Sequence, residues 1–374
     1  MRIALISHTS APWTPKYARR FLLRGHGVRV FSFSPDPLEG AEVVFLKGSG
    51  ARRLTRAARL LAAVPRLRRE LKGFGPDIVL ATYLASNGVT AALAWNGPLV
   101  VSARGGDLLA RDGTIPGGKW LHPVIVRHVC RRAGAVHAVS WELVDRLVDC
   151  GMPRERIVCF PTGVDLDLFR PVESARPPGA PVRLLCTRRQ EPVYRNELLV
   201  SALGRLRDRG AAFTCAIAGG GPLLDRRRAQ AESLGLGAAV VFTGPIQPAA
   251  VGDLLRAADV YLSASSSDGT SSSLLEAMAC GVLPVVSRIP ANQAWIRDGE
   301  NGLLFDQEDP ADLDRALDRA LSDQDLRVSA AARNRPLVER EGDLAKNCDL
   351  MLDLLQGVAG GSASQLRIPF QSKR

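Results

Sequence analysis

The sequence predicts an α/β protein built from two doubly wound, Rossmann-like domains in tandem that face a central cleft. Three observations carry this. Short apolar runs alternate with longer helix-period segments along most of the chain, the pattern of a parallel sheet covered on both faces. The rhythm breaks once, at Pro171–Pro181 (PVESARPPGAP), where four prolines and a glycine read as a linker. The length of 374 residues suits two cores better than one.

In the first half the expected strands are Arg2–Ser7, Val28–Ser34, Glu42–Leu46, Asp77–Ala81, Leu99–Ser102, Val136–Ser140 and Ile157–Phe160, with helices such as Lys119–Arg132 and Glu142–Cys150 between them. After the linker the strands are Val182–Thr187, Thr214–Ala218, Val240–Thr243, Val260–Ser263 and Leu283–Ser287. The helices there include Glu197–Arg209, Leu223–Leu234, Ser272–Cys280 and Asp312–Ser322, and the chain is mostly helical after about residue 325. The expected organisation is a first domain over 1–170, a linker over 171–181, a second domain over 182–340, a C-terminal helix over 341–356 and a disordered tail over 357–374. Open parallel sheets bind ligands at the carboxyl ends of their strands, so the architecture itself predicts a ligand cleft.

Composition narrows the class. Hydrophobic residues make up 46% and charged residues 23%, enough for a sizeable core. No run of about 18 apolar residues is present, so no transmembrane helix is expected. Met1–Ser7 runs straight into a strand pattern without a signal-peptide core, which points to the cytoplasm. The seven cysteines are scattered and form no Cys-x-x-Cys pair, so they read as small buried hydrophobes of a reducing compartment. The net charge of +11 is lopsided. Residues 1–171 hold 25 Lys+Arg against 13 Asp+Glu, and the rest 24 against 25. The positive half calls for an anionic partner: nucleic acid, an anionic membrane or a phosphorylated acceptor. Ala51–Lys72 is its densest stretch, with eight basic residues and an apolar recurrence at three or four through Leu54, Ala58, Leu61, Val64, Leu67 and Leu71. This is an amphipathic basic helix kinked or split by Pro65. It either packs its stripe on the sheet or lies peripherally on the inner face of an anionic membrane.

Two nucleotide chemistries are excluded by local sequence. The turn after the first strand, Ser7-His8-Thr9-Ser10-Ala11-Pro12, has no glycine to let a dinucleotide pyrophosphate approach, and no P-loop motif is present. The informative stretch is Ser263–Val286 (SASSSDGTSSSLLEAMACGVLPVV). A strand ends, a Ser/Gly/Thr loop follows, and a helix begins near Ser271–Ser273, where free N–H groups favour a phosphate. Asp268 precedes the helix and Glu276 lies inside it, placed to face a phosphate's substituent and a ribose diol. The alternative is a Ser271 helix cap flanked by ordinary surface acids.

Asp268-Gly269-Thr270, followed by Glu276-Ala277-Met278-Ala279-Cys280-Gly281-Val282-Leu283-Pro284-Val285-Val286, resembles the donor-binding pattern of glycosyltransferase family 4. In that family the pattern reads Glu-Gly-(Phe/Thr) and then Glu-Ala-Met-Ala-x-Gly-x-Pro-Val-Val. This chain has Asp268 for the first Glu and one extra residue before the proline. Pro161-Thr162-Gly163-Val164-Asp165 with Phe169 and Pro171, Ala218-Gly219-Gly220-Gly221-Pro222, and Asp298-Gly299-Glu300-Asn301-Gly302-Leu303-Leu304-Phe305 are similar to further family stretches, in the family's order.

The resemblance implies the GT-B fold and a metal-independent transferase. It would move a hexose from a nucleotide-diphosphate donor to a glycan or lipid-linked acceptor of surface polysaccharide synthesis, with retention. Arg188, Asp268 and Glu276 are implied as catalytic residues. Arg188, Arg195, Gly219, Gly220, Gly221, Asp268, Gly269, Thr270, Ser271, Ser272 and Glu276 would bind the donor. Arg195 substitutes for a family lysine that is missing at its usual spacing, and an arginine fork grips phosphate well. Arg104 and Asp107 stand where many members have His-Gly and would line the acceptor side; a turn with a local salt bridge is the alternative. No metal or other cofactor is implied, and Asp165-Leu166-Asp167 reads as part of the Gly-Val-Asp…Phe stretch rather than a metal motif. None of the five histidines matches a general-base motif. Two rivals remain. A sugar-nucleotide epimerase of the same fold would lack the Glu-Ala-Met-Ala helix. A nucleic-acid-binding protein is disfavoured by 5% aromatics and the absence of a base-reading motif.

Overall fold

The computed structural model describes residues 1–46, 56–106, 108, 118–172 and 179–361. The chain divides into two compact units, Met1–Thr162 with Leu344–Arg374, and Gly163–Asp343.

The first unit runs β1 (Arg2–Ile6), α1 (Trp13–Leu23), β2 (Gly27–Ser32), β3 (Glu42–Phe45), α2 (Arg56–Ala62), α3 (Val64–Phe74) and β4 (Ile78–Thr82). A π-helical turn, Tyr83–Gly88, follows, then α4 (Val89–Ala94), β5 (Leu99–Ala103), α5 (Gly118–Arg132), β6 (Ala135–Ala138), α6 (Trp141–Asp149) and β7 (Ile157–Cys159). Its strands form one parallel sheet in the order β3-β2-β1-β4-β5-β6-β7. The central strands read IALI, IVLAT and LVVSA, and every one of those side chains is buried. That continuous run, instead of an alternation, is what helices on both faces require.

The second unit runs β8 (Val182–Cys186), α7 (Asn196–Asp208), β9 (Phe213–Ala218), α8 (Leu224–Ser233), β10 (Val240–Gly244), α9 (Pro248–Ala257), β11 (Val260–Ser263) and α10 (Ser272–Ala279). It continues through β12 (Leu283–Ser287), α11 (Pro290–Gln293), β13 (Leu303–Phe305), α12 (Pro310–Ser322) and α13 (Gln324–Glu341). The parallel sheet is ordered β10-β9-β8-β11-β12-β13, the doubly wound Rossmann order. Its core joins Leu184, Ile217, Leu262, Val285 and Phe305 of the strands to Leu199, Leu203, Leu313 and Leu317 of α7 and α12.

All twelve expected strands are present, with ends shifted by no more than two residues. The structure departs from the sequence reading in four places. Leu303–Phe305, the end of the Asp298–Phe305 family stretch and not among the expected strands, is the thirteenth strand and pairs with β12. The units meet at Thr162/Gly163, so the expected linker 171–181 falls within the second unit, with 173–178 outside the described residues. The last helix, α14 (Leu344–Ala359), belongs to the first unit, where Arg20 of α1 and Arg24 just after it share the Asp349 carboxylate and Gly134 leaves room for Val358. It also takes in residues 357–359, where disorder was expected, and a turn follows at 360–361; residues 362–374 of the expected tail lie outside the described residues. The basic stretch is indeed split, at Ala63, with Pro65 in the first turn of α3. Leu67 and Leu71 are fully buried, so the apolar stripe of α3 packs inward, while Arg66, Arg68, Arg69 and Lys72 are exposed. Residues 51–55 of that stretch lie outside the described residues.

Candidate active site

In the second sheet the strand order reverses between β8 and β11, the switch point where the loops leaving two neighbouring strands diverge and leave a crevice. β8 ends at Cys186 and delivers Thr187-Arg188; β11 ends at Ser263 and delivers the loop to Asp268 and Ser271. Arg188, Asp268 and Ser271 therefore meet by topology.

Arg188 is the centre of this cluster and is only 9% exposed. Its Nη1 donates to Ser271 Oγ at 3.1 Å and Ser273 Oγ at 2.9 Å, and its Nη2 donates to the Asp268 carboxylate. The guanidinium lies 4.2 Å from the ring centroid of Tyr194, a cation–π contact. Burial works against the Arg188 charge, but the Asp268 carboxylate prevails and holds the guanidinium above its ordinary pKa. Tyr261 donates to Ser273 Oγ at 2.8 Å, and burial, opposed by Arg188, pushes its phenol up to about 12. Burial likewise raises the Tyr194 phenol. Both phenols thus stay neutral beside a permanent cation. Tyr194, Tyr261 and Ser273 were not singled out from the sequence; Ser273 was legible as the third serine of the helix start, but the tyrosines carry no local signal.

Ser271 is a true helix cap, its Oγ accepting from Leu274 N–H at 3.2 Å. The cap of that alternative is therefore realised, and the same hydroxyl also takes Arg188; Asp268, paired with the buried Arg188, is not an ordinary surface acid. Gly269 is buried, Thr270 half-buried and Ser272 exposed at the first turn of α10. Glu276, half-buried, sits one turn beyond Ser273 on α10, a spacing of about 5–6 Å between β-carbons. Arg188 reaches the first turn of α10 through Ser271 and Ser273, and Glu276 lies three residues beyond Ser273 on the same helix. Arg195 is placed differently: it donates to Gln307 Oε1 at 3.3 Å and pairs with the 77%-exposed Glu308.

The glycine turn after β9 explains itself through backbone approach. A Cβ at Gly219 (φ 131°) would stand 2.7 Å from the Arg188 carbonyl oxygen, and one at Gly221 (φ 152°) 2.5 Å from that of Gln190. Gln190 N–H donates to the Gly220 carbonyl at 3.0 Å, and Leu223 N–H to the Gln190 carbonyl at 3.0 Å. Gln190 and Asn196, both buried, tie the same turn together through Asn196 Nδ2–Gln190 Oε1 at 3.0 Å. Gly219, Gly220 and Gly221 thus support the Arg188 segment from beneath.

The first unit has its own cluster at its switch point between β1 and β4. Arg104, following β5, donates to Thr162 Oγ1 and to Tyr17 Oη at 3.1 Å, and lies 4.6 Å from the Trp13 ring centroid. Tyr83 holds a left-handed φ of 67° directly after β4 and meets Trp13 edge-on at 5.6 Å between centroids. Beneath them His137 donates from Nε2 to the Phe160 carbonyl and accepts at Nδ1 from Ser102 Oγ, each at 2.8 Å. Burial first, then Arg104, bring His137 down to about 3, so it is a neutral structural imidazole. Asp107 lies outside the described residues. Asp165 Oδ1 accepts the N–H groups of Asp167 and Leu168, a turn role within its stretch.

Residues 16–168 match the family model for Glycosyltransferase Family 4, and residues 173–335 that for Glycosyl transferases group 1. The chain is similar to D-inositol 3-phosphate glycosyltransferase of Acidothermus cellulolyticus, 30% identical over 66% of this chain and 59% of the relative. It is also similar to GDP-mannose-dependent α-(1-6)-phosphatidylinositol monomannoside mannosyltransferase of Mycolicibacterium smegmatis, 29% identical over 63% and 66%. The chain thus spans somewhat more than half the length of the first of these relatives. Among solved structures, sucrose-phosphate synthase of Thermosynechococcus elongatus superposes with a TM-score of 0.82 at 19% identity, covering 97% of this chain and all of that one. The Anabaena protein HepE, solved in complex with UDP, gives 0.76 at 17% identity over 96% of this chain and all of that one. Those identities speak for the fold. Taken with the two family models and the cluster at the second switch point, they show that the chain belongs to glycosyltransferase family 4 and has the GT-B fold.

Proposed function

We propose that this chain transfers a hexose from a nucleoside-diphosphate sugar to a hydroxyl acceptor, with retention of anomeric configuration. The observation that carries the reading is the convergence of Arg188 and the Ser271–Ser273 start of α10 at a switch point of the second sheet. Both features suit a pyrophosphate: a buried guanidinium fork and a helix N-terminus. Glu276, one turn on, suits a ribose diol. In the reaction the bond from the anomeric carbon to the β-phosphate oxygen breaks, and the acceptor oxygen bonds to that carbon. The acceptor's proton passes to the leaving phosphate oxygen. Arg188 and the N–H groups at Gly269–Ser271 stabilise the charge that develops there, without a metal. Arg195 joins them as a second phosphate cation by leaving Glu308, an exposed pair worth no more than about 1 kcal/mol.

The acceptor side falls to Arg104 and Asp107 in the first unit. The two relatives' names specify acceptors that carry phosphate, D-inositol 3-phosphate and a phosphatidylinositol mannoside. An anionic acceptor, free or lipid-linked, suits the basic first half of this chain. The exposed cations of α3 would hold the enzyme on an anionic membrane by charge, since Leu67 and Leu71 are committed to the core. Among the described residues no helix is long and apolar enough to cross a membrane.

A thermal-shift screen of uridine, guanosine and adenosine diphosphate sugars identifies the donor; transfer is then assayed with Arg188→Lys. That variant keeps the charge and loses the fork, so kcat/KM is expected to fall about 10- to 100-fold, a loss of about 1.4–2.8 kcal/mol of transition-state stabilisation. Activity of the wild type persists in a strong chelator. Unchanged kinetics in the lysine variant would remove Arg188 from the site.

A further inference from the structure

Arg188 is anchored on three sides. Ser271 and Ser273 hold Nη1, and both hydroxyls are themselves fixed, the first by capping Leu274 and the second by Tyr261. Tyr194 covers one face of the guanidinium. The remaining contact is the Asp268 carboxylate on Nη2. Asp268 differs from the other partners in its support. Its loop is tied down upstream, where Ser266 N–H donates to the Val193 carbonyl at 2.8 Å and the Ser265 carbonyl accepts from Ser287 Oγ at 2.6 Å. It is tied down again at Ser271. Asp268 lies between the two anchors, outside any helix or strand, with its side chain 19% exposed.

A carboxylate on a guanidinium offers the charge and acceptor geometry of a phosphate oxygen pair. A cation this buried needs an anion beside it, because an uncompensated charge in the interior costs several kcal/mol. Asp268 supplies that anion, at the nitrogen a diphosphate would use. We propose that Asp268 is the internal counterion of the phosphate subsite, and that the donor's diphosphate binds by displacing its carboxylate from Arg188. The loop segment between Ser266 and Ser271 moves to allow it, and the released carboxylate turns to the hexose hydroxyls. Asp268 then has two opposed effects: it weakens binding of any diphosphate and assists transfer once the diphosphate is in place. This rests on the reading of Arg188 as a phosphate ligand.

The test is calorimetric titration of the full-length protein with uridine, guanosine and adenosine diphosphate and with the matching nucleosides. Asp268→Asn keeps the shape and removes the charge; Asp268→Ser is titrated alongside it in case the first does not fold. Removal of the charge is expected to tighten nucleoside diphosphate binding at least five-fold, leave nucleoside binding unchanged and lower kcat. Asp268→Glu keeps a carboxylate and should show no such gain. Equal or weaker diphosphate binding in both neutral variants overturns the displacement proposal, even where Arg188→Lys weakens binding as expected. If Arg188→Lys binds diphosphate like the wild type, the phosphate-subsite reading itself falls, and the displacement proposal with it.

Discussion

Individual side chains behave according to the company they keep, and the two buried polar centres of this protein differ in sign. Arg188 stays charged because Asp268 is beside it; His137 stays neutral because burial, and after it Arg104, oppose a charge on the ring. The second case has a consequence for stability. The unfolded imidazole titrates near 6.5, whereas burial in the fold lowers it to about 3. Unfolding therefore takes up a proton below pH 6.5, and the stability present above 6.5 is lost as the pH falls towards 3. The slope is at most about 1.4 kcal/mol per pH unit, so about 2 kcal/mol is gone by pH 5. Melting temperatures measured from pH 7 to pH 4 are expected to fall in the wild type and to flatten in His137→Asn. An identical slope in the two would mean that some other group carries the acid sensitivity. In the cluster around Arg188, Arg188, Asp268 and Ser271 were legible because helix starts, capping serines and a family pattern are local in sequence. Tyr194 and Tyr261 were not, because nothing within a few positions of them marks a ring over the guanidinium or a phenol on Ser273.

Segments that look alike in sequence are put to different ends by their neighbours. The Gly219-Gly220-Gly221 turn was expected at the donor, and its geometry gives a nearer cause: two loops cross with backbone against backbone. Gly221→Ala would place a methyl group 2.5 Å from the Gln190 carbonyl in a left-handed conformation. Since the clash is with backbone and cannot be relieved by a rotamer change, a loss of about 2–4 kcal/mol is expected by chemical denaturation. Nucleoside diphosphate affinity should fall with it, because Arg188 moves when Gln190 does. A variant of wild-type stability would show that the turn yields. β13 was overlooked for a related reason. Three residues, Leu303–Phe305, are too few to carry a strand period, and only pairing with β12 makes them one.

For the molecule as a whole, charge and chain path matter most. The basic excess lies in the first half, and the exposed face of α3 with Arg66, Arg68, Arg69 and Lys72 is its most compact expression. If that face meets anionic lipid, the protein should sediment with phosphatidylserine vesicles at low salt and release as salt rises. Each basic residue near such a surface contributes about 1 kcal/mol, so Arg66→Glu with Lys72→Glu should lower partitioning more than ten-fold. Equal sedimentation with neutral vesicles would refute the electrostatic account. The chain path holds the other lesson. α14 leaves the second unit and completes the first, burying Met351, Leu354 and Leu355 there and giving Asp349 to Arg20 and Arg24. Sequence by itself determined the two parallel sheets, twelve of their strands and the start of α10, because strand runs and helix caps are written in neighbouring residues. The thirteenth strand, the return of α14 to the first unit and the set of groups around Arg188 were decided only by tertiary structure. Each depends on pairing or burial against residues distant in the chain, which exists only once the sheet of its own unit has formed.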